Sequence, residues 1–88
     1  MAFVHKSAAD EAPDATELTP YDEARMVLYL RLRDAEAAGA DWRGVARIVL
    51  ERDVVGEPEK AHRCWESHLK RAQWIAEVKY QSVGRSAP

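Results

Sequence analysis

One cysteine, four prolines and four glycines are all that this 88-residue sequence holds of the residues that staple, break or loosen a chain. The single thiol, Cys64, can form no internal disulfide and rules out a paired-cysteine metal framework. No stretch approaches the roughly 18 consecutive apolar residues of a membrane span, and no basic segment leads into an apolar run and a cleavage site. A cytoplasmic location in a reducing compartment is therefore expected, with no membrane partner. A glycine-rich phosphate loop is missing, as is the alternating apolar pattern of a sheet. Positive charge is not in excess: thirteen Lys and Arg face fifteen Asp and Glu, a formal net charge of −2, with an isoelectric point near 5.9. Domains that work by phosphate contact tend to be basic, so this balance leads to an expectation of no direct DNA binding.

What is present is helix. A chain of this size builds one core and buries only about 60% of its unfolded surface. Residues 1–17 carry Lys6, Asp10, Glu11, Asp14 and Glu17 among alanines with no apolar period, and read as a flexible leader. Residues 81–88, with Gly84 and Pro88 among serines, read as a flexible tail. Between them, residues 18–80 form the folded domain. Thr19-Pro20 is a helix start: the threonine oxygen can accept orphan N–H groups, and proline at the first position loses nothing by lacking one. Asp22 and Glu23 suit the positive end of the helix dipole. Strong helix formers then run to Ala38, and Gly39 supplies the left-handed residue that closes many helices. Asp41 caps a shorter helix ending near Glu51, with Trp42, Val45, Ala46 and Val49 on its inner face. Arg52 to Glu57 is an irregular connection, longer than a tight helix corner needs. Pro58 opens a third helical region that reaches about Tyr80, with Ala61, Cys64, Trp65, His68, Leu69 and Ala72 at three- and four-residue steps. The fold class is all-α, a small helical bundle.

Candidate chemistry is thin. Cys64 and His68 lie four apart on one helical face and could reach one ion, but structural zinc asks for four ligands, and a core thiol beside a hydrogen-bonded histidine accounts for the pair. Burial on the apolar stripe raises a thiol pKa and leaves Cys64 a poor nucleophile. No enzyme, metal, cofactor or small-molecule ligand is expected. Arginine and lysine interleave with acids along every helix, which suits solvated faces laced with weak pairs. The sharper reading is a phosphate-binding stripe of Lys60, Arg63, Lys70 and Arg71, which Glu57, Glu59 and Glu66 would oppose.

Apolar residues are in surplus. On the first helix Ala24, Leu28 and Leu32 share one face, Met26 and Leu30 lie nearly opposite, and Tyr29 falls between. Trp74 and Val78 point about 180° away from Trp65. Either the first helix is packed on two sides and a bend near Lys70 to Gln73 turns Trp74 inward, or these residues form an exposed patch of the kind that marks a protein partner.

Leu18-Thr19-Pro20-Tyr21-Asp22, Ala38-Gly39-Ala40-Asp41-Trp42-Arg43 leading into Ala46-Arg47-Ile48-Val49, Trp65-Glu66-Ser67-His68-Leu69 and Tyr80 resemble, over residues 18–83, a widespread proteobacterial family first described as a domain of unknown function. The resemblance implies a helix-turn-helix variant with an extended turn. It also implies activators that join this domain to an N-terminal domain, bind DNA through a basic face, and switch on transfer genes of integrative and conjugative elements. Here only the leader precedes the domain, and the surface is acidic. By analogy the chain is expected to be an antiactivator: its partner would be a transcriptional activator, whose N-terminal domain it occupies to block transcription. The surplus apolar residues supply the candidate contacts, Met26, Tyr29, Leu30, Arg33, Trp74 and Val78. The alternative is a sequence-specific DNA-binding helix-turn-helix regulator using Lys60, Arg63, Lys70 and Arg71.

Overall fold

Two of the helices begin where a side chain accepts from their first amide groups. The computed structural model describes residues 8–85, with side chains as far as residue 78, and among these there are four helices and no strand. Helix α1 spans Pro20–Ala24. Thr19 and Asp22 cap it reciprocally, the Thr19 hydroxyl accepting from the Asp22 amide at 3.2 Å and the Asp22 carboxylate accepting from the Thr19 amide at 2.9 Å.

The single helix expected over residues 20–38 is divided at Arg25, where the backbone turns to φ −123° and ψ 26°. The Arg25 amide donates to the Asp22 carbonyl at 3.0 Å, and the Arg25 guanidinium folds back 3.6 Å above the Tyr21 ring. Helix α2, Met26–Ala37, restarts with a changed phase. Ala24, which an unbroken helix would align with Leu28 and Leu32, is exposed for that reason, while Leu28, Tyr29 and Leu32 are buried. The end of α2 is a Schellman motif: Gly39 takes φ 77° and donates to the Glu36 carbonyl, and the Ala40 amide reaches the Ala35 carbonyl at 3.0 Å.

Helix α3, Trp42–Ile48, starts on Asp41, whose carboxylate accepts from the Arg43 amide at 3.0 Å. Val45 and Ala46 face inward, and Leu50 just beyond the helix adds a buried leucine. The nine residues 49–57 form the extended turn. Glu51 enters the left-handed region at φ 58°, and the Asp53 carboxylate accepts from the amides of Val55 and Gly56 at 3.2 and 2.8 Å. A β-carbon on Gly56 would lie 2.3 Å from that carboxylate, so any larger residue there must displace the Asp53 side chain.

Helix α4, Pro58–Arg85, is 28 residues, about 42 Å long, and packs against both α2 and α3. Its inner stripe is Ala61, Cys64, His68, Leu69, Ala72 and Ile75. With Leu28, Tyr29, Leu32, Val45, Ala46 and Leu50 these residues make the core. The helix continues through residues 81–85, which the composition marks as tail; no proline intervenes to stop it before Pro88.

Residues 8–17, expected as part of a loose leader, hold no regular element but lie as a strap along α4. Their backbone is pinned at several points. The Ala9 amide donates to the Tyr21 hydroxyl at 2.8 Å and the Ala12 amide to the Ser67 hydroxyl at 3.0 Å. Arg52 donates to the Ala8 carbonyl, Cys64 to the Ala9 carbonyl, and Arg71 to the carbonyls of Ala15 and Glu17. Composition failed to show this because the strap contributes mostly main-chain groups to these anchors, Asp10 paired with Arg52 being a side-chain exception. The expected leader residues 1–7 lie outside the described residues.

Candidate nucleic-acid interface

Helix α3, the extended turn and the first half of α4 are consecutive, and α3 packs against α4. Arg43 and Arg47 are exposed on α3, and Lys60, Arg63 and Lys70 on α4. Where the two helices meet, Trp42, Pro58, Glu59, His62, Arg63 and Glu66 line an open cleft of about 430 Å³. Its wall is aromatic. Trp42 meets His62 edge-on at 4.7 Å between centroids, both rings contact Trp65, and the Arg43 guanidinium sits 4.9 Å over Trp42. This places an arginine, an imidazole and an indole face beside the opening turns of α4, the part of the second helix that reaches base edges in helix-turn-helix proteins.

The cations are only lightly restrained. Lys60 pairs with Glu57 at 3.8 Å, Arg63 with Glu11 of the strap at 3.8 Å, and Arg43 with Asp41 at 4.0 Å. All three pairs are solvent-exposed, and such contacts are worth about 0–1 kcal/mol each, little enough for a phosphate to displace them.

Arg71 departs from the expected stripe. It is 5% exposed and cannot reach a phosphate. Its Nε donates to Asp22 Oδ1 at 3.1 Å and its Nη2 to Asp22 Oδ2 at 2.7 Å, a bidentate pair with a carboxylate that is fully buried. It also donates to the Ala15 carbonyl at 2.6 Å and lies 4.2 Å over the Trp74 ring. Asp22 further accepts from the Tyr29 hydroxyl at 2.7 Å and the Thr19 hydroxyl at 3.0 Å. Burial by itself would raise the Asp22 pKa, but Arg71 and the Thr19 and Tyr29 donors together hold the carboxyl far below its usual range. Burial and the neighbouring Asp22 charge push the Tyr29 phenol up, so it stays a neutral donor. Sequence spacing places Asp22 and Tyr29 seven apart, which is one helical face, but nothing local points to Arg71 as their partner.

A second polar cluster sits beside it. His68 is fully buried, with Nδ1 2.7 Å from the Cys64 carbonyl and Nε2 2.6 Å from the Tyr21 hydroxyl. A carbonyl can only accept, so Nδ1 carries the proton and Nε2 accepts from Tyr21, which in turn accepts from the Ala9 amide. Burial pushes the His68 pKa down; the Cys64 carbonyl works against this, while Arg52 and Arg25 reinforce it. Burial also raises the Cys64 thiol. The imidazole proton is committed to a carbonyl, so this pair supplies no activated nucleophile. Among the described residues no group of three or more His, Cys, Asp or Glu could hold a metal.

The residues expected to contact a protein partner divide. Met26, Tyr29, Leu30 and Arg33 line one apolar groove with Ala72, Ile75 and Ala76. Met26 is 36% and Leu30 49% exposed. Tyr29 itself is 2% exposed with its hydroxyl spent on Asp22, so it belongs to the groove floor and not to a free contact surface. Trp74 and Val78 lie off this groove, Trp74 half-buried under Arg71 and Val78 exposed. The inward bend considered for Trp74 is unnecessary, since α4 runs on without interruption.

No curated protein matches the chain. Residues 2–81 match the family described as the DNA-binding domain of a type VI secretion system (T6SS) transcription factor, RovC_DNA-bd. This overturns the expectation of no direct DNA binding, and the structure shows why overall charge misled. Four of the fifteen carboxylates, Asp10, Glu11, Asp14 and Glu17, lie in the strap, which holds none of the thirteen cations; the rest of the chain carries eleven acids against thirteen bases, a net +2. Acidity is local to one segment, whereas phosphate contact depends on the face presented. An activator partner has no support in this match, and the family is described by DNA binding and not by catalysis. The extended-turn helical bundle read from the sequence is the architecture observed, and the chain belongs to the T6SS transcription factor DNA-binding domain family.

Proposed function

We propose that this protein is a sequence-specific DNA-binding transcriptional regulator whose α3–turn–α4 unit docks on the duplex. The observation that carries the reading is the family match across nearly the whole domain, residues 2–81. The exposed cations supply the physical means. Lys60 stands on the first turn of α4, where side chains of a second helix reach base edges, and Arg43, Arg47, Arg63 and Lys70 flank it as backbone contacts. Fluorescence anisotropy on duplexes drawn from the regulated promoter, titrated with salt, tests this. A slope of log affinity against log salt near −0.9 for each phosphate contacted is expected. Lys60→Ala should cost about 1–3 kcal/mol and relax sequence preference, whereas Arg63→Ala should weaken all duplexes alike. Affinity that is insensitive to salt and to both substitutions defeats the proposal.

The groove between α2 and α4 favours a second role that is compatible with the first, docking on a regulatory protein through Met26, Leu30 and Arg33. Exposed leucine and methionine beside an arginine make a surface of the kind proteins bury. Leu30→Lys should abolish co-elution with a two-domain regulator of the same family while leaving duplex affinity intact, and co-elution unaffected by that change removes the groove from consideration.

A further inference from the structure

The strap is anchored in an unusual way for an acidic segment. Apart from the Asp10–Arg52 contact, its hydrogen bonds to the body of the protein come from main-chain atoms: the amides of Ala9 and Ala12 and the carbonyls of Ala8, Ala9, Ala15 and Glu17. Of its four carboxylates only Asp10 is used in anchoring, 2.8 Å from Arg52. Glu11, Asp14 and Glu17 are exposed. Glu11 reaches across to Arg63, which also lines the cleft at the α3–α4 junction. The backbone therefore fixes position, and the side chains are left to act as charge beside the DNA-facing helix.

From this we infer that residues 8–17 are a built-in competitor for the phosphate backbone: the strap holds carboxylates against α4, occupies Arg63 through Glu11, and lowers the affinity of the α3–α4 face for duplex DNA. The inference rests on the DNA-binding reading above. Its physics is that of an anion held at high effective concentration. An exposed pair such as Glu11 with Arg63 is individually weak, but a tethered carboxylate is always at hand to form it, and a phosphate must compete with it. The carbonyls of Ala15 and Glu17 are held to Arg71 of the same helix, so the neighbouring charges of Asp14 and Glu17 add to the repulsion of an approaching phosphate backbone. Neutralising the strap, by substitution or by a cationic partner that attracts it, raises DNA affinity without altering a base contact.

Because the anchors are main-chain groups, side-chain neutralisation leaves them in place, and the test follows from that. The full chain carrying Glu11→Gln and Asp14→Asn is compared with the native chain and with Glu23→Gln/Asp34→Asn, which removes the same two charges from α1 and α2. Binding to one labelled duplex is measured from about 50 to 200 mM salt, and thermal unfolding checks that all three are folded. The strap variant should bind about tenfold tighter at the low-salt end, with a slope steeper by about 0.9, the release of one further phosphate-bound counterion by the freed Arg63. The control should bind within about twofold of the native chain. Equal affinity and slope in the strap variant and the control overturn the competitor while leaving DNA binding standing. Failure of all three to bind at 50 mM salt overturns the DNA reading, and the competitor with it.

Discussion

Asp22 and Arg71 show how much one buried pair can organise. The carboxylate receives donors from α4, from α2 and from Thr19, the cap of α1, and the guanidinium passes the connection on to the strap. A pair of this kind adds little over apolar residues of the same shape, but breaking it leaves an uncompensated charge inside. Asp22→Ala should therefore cost about 3–5 kcal/mol, read as a shift of the urea midpoint with an unchanged slope. The acid side of the pH profile follows from two of the buried titratable groups, Asp22 and His68. Asp22 is held below its ordinary pKa, so below about pH 4 the unfolded chain takes up a proton that the folded one refuses, and stability falls as the solution is acidified. His68 is likewise kept neutral; the unfolded histidine protonates near pH 6.5 while the folded one resists, so stability already declines below that pH, by at most about 1.4 kcal/mol per pH unit. Urea midpoints measured from pH 7 to pH 5 should lose that decline in His68→Gln, and a decline that persists would place its source elsewhere.

At the scale of elements, the helix starts and stops were readable because each is set by residues close in sequence. Thr19-Pro20, Gly39, Asp41 and Pro58 all serve as their types suggest. Two boundaries were not readable. The break at Arg25 depends on a guanidinium folding onto the Tyr21 ring, and no propensity marks that residue. The extended turn was recognisable from Gly56 and Pro58, but its internal order comes from Asp53, whose carboxylate gathers two amides where a β-carbon on residue 56 would intrude. Gly56→Ala must push that carboxylate aside and should cost about 1 kcal/mol through loss of the turn's hydrogen bonds. Calorimetry that shows no drop in melting temperature would mean the turn re-forms without Asp53. Since this turn sets how α3 meets α4, the same substitution should weaken DNA binding more than its effect on stability alone implies.

For the whole molecule, the strap is both a structural and an electrostatic element, and the two can be separated. Deleting residues 1–17 removes the carbonyl partners of Arg71 and Arg52 and uncovers part of α4, which should cost about 2 kcal/mol or more. Neutralising Glu11 and Asp14 leaves those bonds intact and should change the melting temperature very little. Parallel melts of the two variants check this, and equal losses would show that the carboxylates are themselves structural. The charge of the molecule follows the same division, an acidic strap against a mildly basic body, and for that reason a net value of −2 carried no information about the face offered to a partner.

The amino-acid sequence alone determined that the chain would be helical, where three of its four helices begin, and much of the apolar stripe that fills its core, because caps and three-to-four spacing act over a single turn. Folding decided the rest: that Asp22, His68 and Arg71 lie inside, that Tyr29 is floor and not surface, and that ten residues without an apolar pattern are bound in place. Those outcomes join groups about fifty residues apart, and a hydrogen bond or ion pair has decisive worth only after other parts of the chain have excluded water around it.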